Sequence, residues 1–300
     1  MTRRMMAKLL GWALLPLVVR RTEAEEPSTA RRYRADAQVL ILSIPLLRRS
    51  GVGGGSALWR EWRDSGGLMR QLEFTGYSDP ARAAGLNRLG FIRETSCREQ
   101  AAIREANYFG VMSASPEDSA EEAHKALHST ATEATYTAIE GHIEGGHVET
   151  ASVHFTGPAR FSPSRREELV SRAEEALSTA PKKPSEFHTN GAIPAPFLHA
   201  LVDALRSPGV GQTEYVYSGR LYRLWIRQSP DSHAADYFRQ RGILGGGVNV
   251  VRINGKVRRE AGGKETDFRL WIEAGAAQPV PLRIDFQPKS YLRLIMEAEA

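Results

Sequence analysis

In Asp267-Phe268-Arg269-Leu270-Trp271-Ile272-Glu273, the side chains of Phe268, Leu270 and Ile272 stand at every second position. That period sends them to one face of a β-strand. The spacing returns in Leu282, Ile284 and Phe286 and again in Leu292, Leu294 and Met296, with Gly or Pro turns between the runs. Three such runs predict an antiparallel meander, one face of which has to be covered. Ile193, Phe197, Leu198, Leu201, Val202 and Leu205 form the strongest apolar stripe at helical spacing, stopped by Arg206-Ser207-Pro208-Gly209. A helix of that character is expected to pack against the sheet.

Working outward, Glu214 to Ile226 and Val248 to Arg258 read as further strands of the same meander. Tyr33 to Leu47 reads as a strand broken at Pro45, and Gly51-Val52-Gly53-Gly54-Gly55 is expected to end it or bend it. Leu68 to Phe74 and Leu89 to Glu94 are strand-like, flanking a turn-rich stretch. A helix is predicted from Ser115 toward Glu133, because Ser115 suits a cap and Pro116 the first helical position. Gly145-Gly146 centres a hairpin over Tyr136 to Phe155. Ser164 and Glu167 form a capping-box pattern ahead of Leu169, Val170, Ala173, Ala176 and Leu177, which share a helical face. Pro181 to Pro184 reads as a link. The fold class is therefore α+β, mainly antiparallel β, as one β-rich domain over 25–300.

Ahead of that domain, Arg3, Arg4 and Lys8 precede an apolar run from Leu9 to Val19, followed by Thr22-Glu23-Ala24. This is the three-part order of a secretory signal, predicted over 1–24. Its 11 apolar residues fall short of the roughly 20 a helix needs to span a bilayer, so no permanent membrane span is expected. The segment around Arg3-Arg4 resembles a twin-arginine signal, but Met6 and Ala7 replace the usual Phe and Leu, and the Sec route is favoured. Arg20 and Arg21 fit the signal reading poorly, since positive charge beyond the apolar run hinders translocation. The expected location is periplasmic or secreted.

Forty Lys and Arg against 35 Asp and Glu give a formal charge of +5, which invites a nucleic-acid reading. The first 24 residues hold five of those bases and one of the acids, leaving 35 and 34. A near-neutral remainder lacks the basic footprint of a nucleic-acid partner. Cys97 is the one cysteine, so neither an intramolecular disulfide nor a cysteine-based zinc site is available.

Three stretches together resemble a bacterial envelope family catalogued as domain of unknown function 3108, whose architecture is similar to the LolA-like lipoprotein carriers. They are Tyr33 through Ile44-Pro45 to Gly53-Gly54-Gly55, the helix Pro194 to Arg206, and the closing meander from Phe268 to the terminal hydrophobic strand. A partly helical insert at about 97–163 has no counterpart in the resemblance. What it implies is a strongly curved sheet or half-barrel with helices packed in the concave face, a shape that holds an acyl chain or a peptide. Phe197, Leu201, Trp225 and Trp271 are then the expected lining of the ligand groove. The alternative is that the helices simply fill the groove as core.

No cofactor is expected on this reading. An enzymatic alternative rests on the hairpin, whose turn sets Glu144 opposite His147 and His142 opposite Glu149, with Glu140 on the same side. His142, His147 and Glu149 are the ligands it offers to zinc or another divalent ion, for a metal-dependent hydrolase. The competing reading is a solvated hairpin with complementary charges. His124 and His128 lie one helical turn apart, but Lys125 occupies the place of a metalloprotease's catalytic Glu. The glycine runs lack the Lys-Ser/Thr ending of a phosphate loop, and Cys97 has only Arg98 beside it as an activator.

Overall fold

The computed structural model describes residues 28–41, 44–79, 89–99, 102–113, 131–187, 194–206, 211–263, 265–289 and 292–300. The predicted signal segment, the helix from Ser115 to its end near Glu133 (up to 130) and the pair His124 and His128 lie outside them.

The amino-terminal half runs as consecutive strands: β1 (Ser28–Ile41), β2 (Ile44–Asp64), β3 (Gly67–Ser78), β4 (Leu89–Glu99), β5 (Ala102–Ser113), β6 (Glu133–Glu144), β7 (His147–Pro158) and the short β8 (Lys183–Glu186). Helix α1 (Arg166–Ser178) lies between β7 and β8. After β9 (Ala195–Pro196) come α2 (Phe197–Arg206), β10 (Gln212–Tyr217), β11 (Arg220–Pro230), α3 (Ser232–Gln240), β12 (Val250–Arg259), β13 (Thr266–Glu273), β14 (Arg283–Lys289) and β15 (Leu292–Ala298). All fifteen join one sheet in the order β8-β7-β6-β5-β4-β3-β2-β1-β15-β14-β13-β12-β11-β10-β9. The first and last strands pair with each other, Tyr33 opposite Ala298 through Val39 opposite Leu292. Its two edges, β8 and β9, are therefore neighbours in sequence. Apart from the β9–β10 pair, which is parallel, the strands pair antiparallel.

The sheet is strongly curved, and a single contact measures how far. β5 and β10 stand ten places apart in the strand order, so a flat sheet would separate them by about 48 Å at about 4.8 Å per strand. Yet the rings of Tyr108 on β5 and Tyr217 on β10 stack with centroids 5.8 Å apart. The face on which they meet carries Leu270 opposite Ile284, Ile284 opposite Met296, and Met296 opposite Ala35. This is the greasy surface expected from the alternation in the final third. Leu270 and Ile284 pack with Ile143, Val148, Leu201, Leu205, Leu224 and Ile253 in one cluster, and Met296 and Ala35 form a neighbouring one with Tyr33 and Ala298; each large aliphatic side chain buried there contributes about 1.5–3 kcal/mol.

Helix α2 lies on that face; α1 and α3 lie on the other. Residue parity decides this, because successive side chains in a strand point to opposite faces. On β5, Ala106 and Tyr108 join the α2 cluster while Phe109 and Val111 join the cluster under α1, with Leu169 and Leu177. On β13, Leu270 and Ile272 belong with α2, whereas Trp271 packs under α3 with Ala235, Phe238 and Leu282. The helices thus do not share one face, as the resemblance implied, because a sheet with apolar side chains on both faces needs cover on both. Among the described residues no helix is long and apolar enough to cross a membrane.

Several local expectations are corrected. The glycines of residues 51–55 do not end the strand but sit inside β2. The bend expected there is a bulge at Gly51, which has positive φ beside a register shift. Close approach needs the others, since a Cβ on Gly53 would lie 2.0 Å from the Tyr77 carbonyl oxygen and one on Gly55 2.3 Å from that of Thr75. The described part of the 97–163 insert is not an insertion; it supplies β5, β6 and β7 in continuous register with the sheet. The Ser164 capping box does not form, since a 3₁₀ turn over Pro163–Arg165 precedes α1 and Ser164 Oγ meets Ser162 Oγ at 2.9 Å. The Pro181–Pro184 link runs into edge strand β8. Glu214 to Ile226 is a hairpin about Ser218-Gly219, both with positive φ. Leu282 leaves the Ile284 face and is fully buried beneath α3.

Asp231 caps α3, accepting from the Ala234 N–H at 3.0 Å and from the Trp271 indole N–H at 3.0 Å. Burial pushes its carboxyl up, but those two hydrogen bonds and the charge of Arg252 outweigh it and hold the carboxyl below its ordinary value. A depressed folded pKa stabilises above the unfolded value of about 3.9 and is lost as pH falls through the folded value. Asp231→Ala should therefore cost about 1–2 kcal/mol at neutral pH, and urea denaturation should show the difference from the parent shrinking below about pH 3.9. Gly255 lies opposite Phe268, and a Cβ there would stand 2.1 Å from the ring. Gly255→Ala should lower stability by about 1–3 kcal/mol through overpacking; a thermal midpoint equal to the parent's would contradict that contact.

Candidate functional site

Strand β4 turns Glu94, Ser96 and Arg98 toward α2, and the β3 register adds Leu72 opposite Glu94 and Arg70 opposite Ser96. A row of charged groups thus lies under an apolar helix, where Glu94 and His199 are both fully buried. Glu94 accepts from the Leu198 N–H at 2.9 Å, from the His199 N–H at 3.0 Å, and lies 3.0 Å from His199 Nδ1. A carboxylate at a helix start satisfies N–H groups that have no intrahelical partner and meets the positive end of the helix dipole.

The far end of α2 is held by the opposite charge pattern. Asp203 accepts from Arg98 at 2.9 Å and from Arg70 at 3.2 Å, and Arg70 Nε also reaches Glu61 at 2.7 Å. Two guanidiniums lie over the Trp59 ring, Arg70 at 5.0 Å and Arg206 at 4.7 Å from its centroid. Arg206 donates to the Ala277 carbonyl, and burial together with the Arg70 charge pulls its guanidinium below the ordinary value. Around Glu94 stands a wall of tyrosines: Tyr108 directly opposite it, stacked on Tyr217, and Tyr215 stacked on Tyr222 at 5.1 Å. Burial pushes the Tyr108 phenol up to about 12, so it stays protonated at neutral pH.

The four residues expected to line a ligand groove are not brought together. Phe197 packs 5.0 Å from Tyr215 and Leu201 is buried in the same cluster. Trp271 is buried on the opposite face under α3, and Trp225, bonded through its indole N–H to Gln212 at 3.1 Å, lines a groove on that opposite face. Parity again explains the split, for both tryptophans sit one residue out of step with the Leu224 and Leu270 face.

The hairpin register is as expected, with His142 opposite Glu149 and Glu144 opposite His147, and both turn glycines have positive φ. It does not assemble a metal site. His142 Nδ1 meets Asn107 at 2.8 Å, His147 Nδ1 faces Glu186 on β8 at 3.4 Å, and no group of three or more His, Cys, Asp or Glu among the described residues is placed to hold a metal ion. Cys97 is buried, its thiol donating to the Gly66 carbonyl at 3.2 Å.

Sequence reasoning missed Glu94, Arg70, Arg98 and Asp203. No sequence period singles them out: Arg93 to Ser96 and Arg98-Glu99 are polar at successive positions of β4, while Arg70 lies on β3 and Asp203 on α2.

No family model matches the chain, and no curated protein matches it. The chain is similar to the crystal structure of a β-barrel-like protein of domain of unknown function DUF1849 from Brucella abortus, at 9% identity and a TM-score of 0.35 over 90% of this chain and 95% of that one.

Removing the Glu94 carboxylate strands two helix N–H groups and His199 in a buried place. Glu94→Ala should cost about 3–5 kcal/mol, and Glu94→Gln, which keeps one acceptor oxygen, about 1–3 kcal/mol. Chemical denaturation measures both; a loss under about 1 kcal/mol for Glu94→Ala would mean that Glu94 does not anchor α2.

Proposed function

We propose that this chain is an exported, periplasmic binding protein without catalytic activity, which takes a hydrophobic ligand with a single acyl chain. In this reading residues 1–24 direct export, and the curved sheet holds one helix, α2, on its concave side, where the ligand would lie beside it. The observation that carries it is the unclosed seam of the sheet, where edge strand β9 packs against β5 and does not pair with the other edge, β8. These edges are not hydrogen-bonded to each other, and each leads directly into a half-buried phenylalanine, Phe187 after β8 and Phe197 after β9. Both pack against the apolar cluster around α2, as do the half-buried Tyr217, Leu221 and Tyr222. An acyl chain laid along that seam gains about 0.8 kcal/mol for each methylene buried.

The absence of catalysis is supported by how the one buried carboxylate–imidazole pair of the α2 contact is used. Glu94 and His199 have the right chemistry for acid–base work, but both are sealed from solvent, and the Glu94 oxygens are occupied by the backbone of α2.

Native mass spectrometry of gently extracted protein should show a co-purified acyl lipid, and a fluorescent fatty acid should be taken up. Phe187→Ala and Phe197→Ala should each weaken uptake by about tenfold or more, the value of one buried aromatic side chain. A lipid-free mass together with no uptake refutes the hydrophobic-ligand reading.

A further inference from the structure

On the face opposite α2, strands β11 to β15 bound a groove of about 500 Å³ that the acyl-ligand reading does not use. Trp225 and Arg227 project into it from β11, two residues apart and therefore on the same face. The next rows of the register place Lys256 and Asp267 beside Trp225, and Asn254, Arg269 and Asp285 beside Arg227.

The charges in this groove do not cancel. Lys256 is matched by Glu265 at 3.3 Å and Asp267 at 3.8 Å. Asp285 is already shared between Arg293 at 2.5 Å and Arg269 at 2.9 Å. Arg227 is exposed and makes no ion pair or hydrogen bond among the described residues, and the Asn254 amide makes no hydrogen bond among them either. The Trp225 indole, by contrast, is fixed by Gln212 at 3.1 Å and by Arg223, 6.0 Å from its ring centroid.

We infer that this groove binds an acidic sugar, with the pyranose ring stacked on Trp225 and its carboxylate held by Arg227. Side chains two residues apart on a strand are about 7 Å apart, the span from a stacked ring to a carboxylate gripped by a guanidinium. Asn254 offers both a donor and an acceptor to sugar hydroxyls, and the Asp267 carboxylate accepts from them. The Asp267 carboxylate, beside Trp225, disfavours a phosphate-rich ligand, whose multiple charges it repels. A hydroxyl-rich monoanion suits a groove where four cations, Arg227, Lys256, Arg269 and Arg293, meet three carboxylates, Asp267, Asp285 and Glu265, and where Arg227 is the cation left without a partner among the described residues.

Isothermal titration calorimetry of the full chain with a hexuronic-acid trisaccharide, a matched neutral hexose trisaccharide and ATP tests this. The acidic trisaccharide should bind at least about tenfold more tightly than the neutral one, because a charge-assisted hydrogen bond is lost in the latter. Arg227→Gln should remove most of that preference, and Trp225→Ala should weaken both sugars. Arg227 is exposed, so the denaturation midpoint of Arg227→Gln should equal the parent's. Trp225→Ala gives up the Gln212 hydrogen bond and should lower the midpoint slightly while the protein stays folded at the titration temperature, which separates lost binding from lost folding. Absence of binding by the acidic trisaccharide, equal binding of the neutral one, binding that survives both substitutions, or ATP binding more tightly than the sugar each overturns the assignment. The acyl-ligand reading stands or falls separately, since neither variant touches the β8–β9 seam.

Discussion

The antiparallel pairing of β1 with β15 is the contact on which the architecture rests. Without it the chain is two meanders, β1 to β8 and β9 to β15, each with exposed inner edges. With it, the ends of the described chain lie in the middle of the sheet and the free edges fall to β8 and β9, which adjoin in sequence. The curl that brings Tyr108 onto Tyr217 then follows from strand twist accumulated across the whole order. Such a pairing is expensive in chain entropy, since it joins residues more than 250 positions apart, and it is secured by the many strand contacts formed between.

A sheet with two free edges is at risk of recruiting other chains. Here the edge strands are short and carry proline, Pro184 in β8 and Pro196 in β9. Proline has no N–H to offer a further strand.

Charge is arranged by face. Under α2 Glu94, Arg70 and Arg98 are buried and matched, with Glu94 at the start of the helix and the half-exposed Asp203 toward its end fixing the helix along β4. Stripping one partner from such a set leaves an uncompensated buried charge, so the set specifies where α2 sits more than it adds to net stability. On the opposite face Asp285 is shared by two arginines while Arg227 stands unmatched in water. The buried groups act on position, and the exposed ones are available to a ligand.

Much of the fold was legible in the chain itself. Period-two alternation in Phe268, Leu270 and Ile272, the Gly145-Gly146 turn with its His142–Glu149 register, and the apolar stripe of Leu201 and Leu205 each encode local structure through side-chain direction or backbone freedom, and these do not depend on distant residues. The Ser218-Gly219 turn and the Asp231 cap of α3 are likewise local, set by backbone freedom at glycine and by a side-chain acceptor at a helix start. What the tertiary structure decided is what lies across the sheet: that β5 to β7 belong to it, that Trp225 and Trp271 face away from Phe197, and that Glu94 lies beneath α2. Those facts depend on register and curvature, which bring residues about a hundred positions apart to within 3 Å, and no short window of sequence contains both partners.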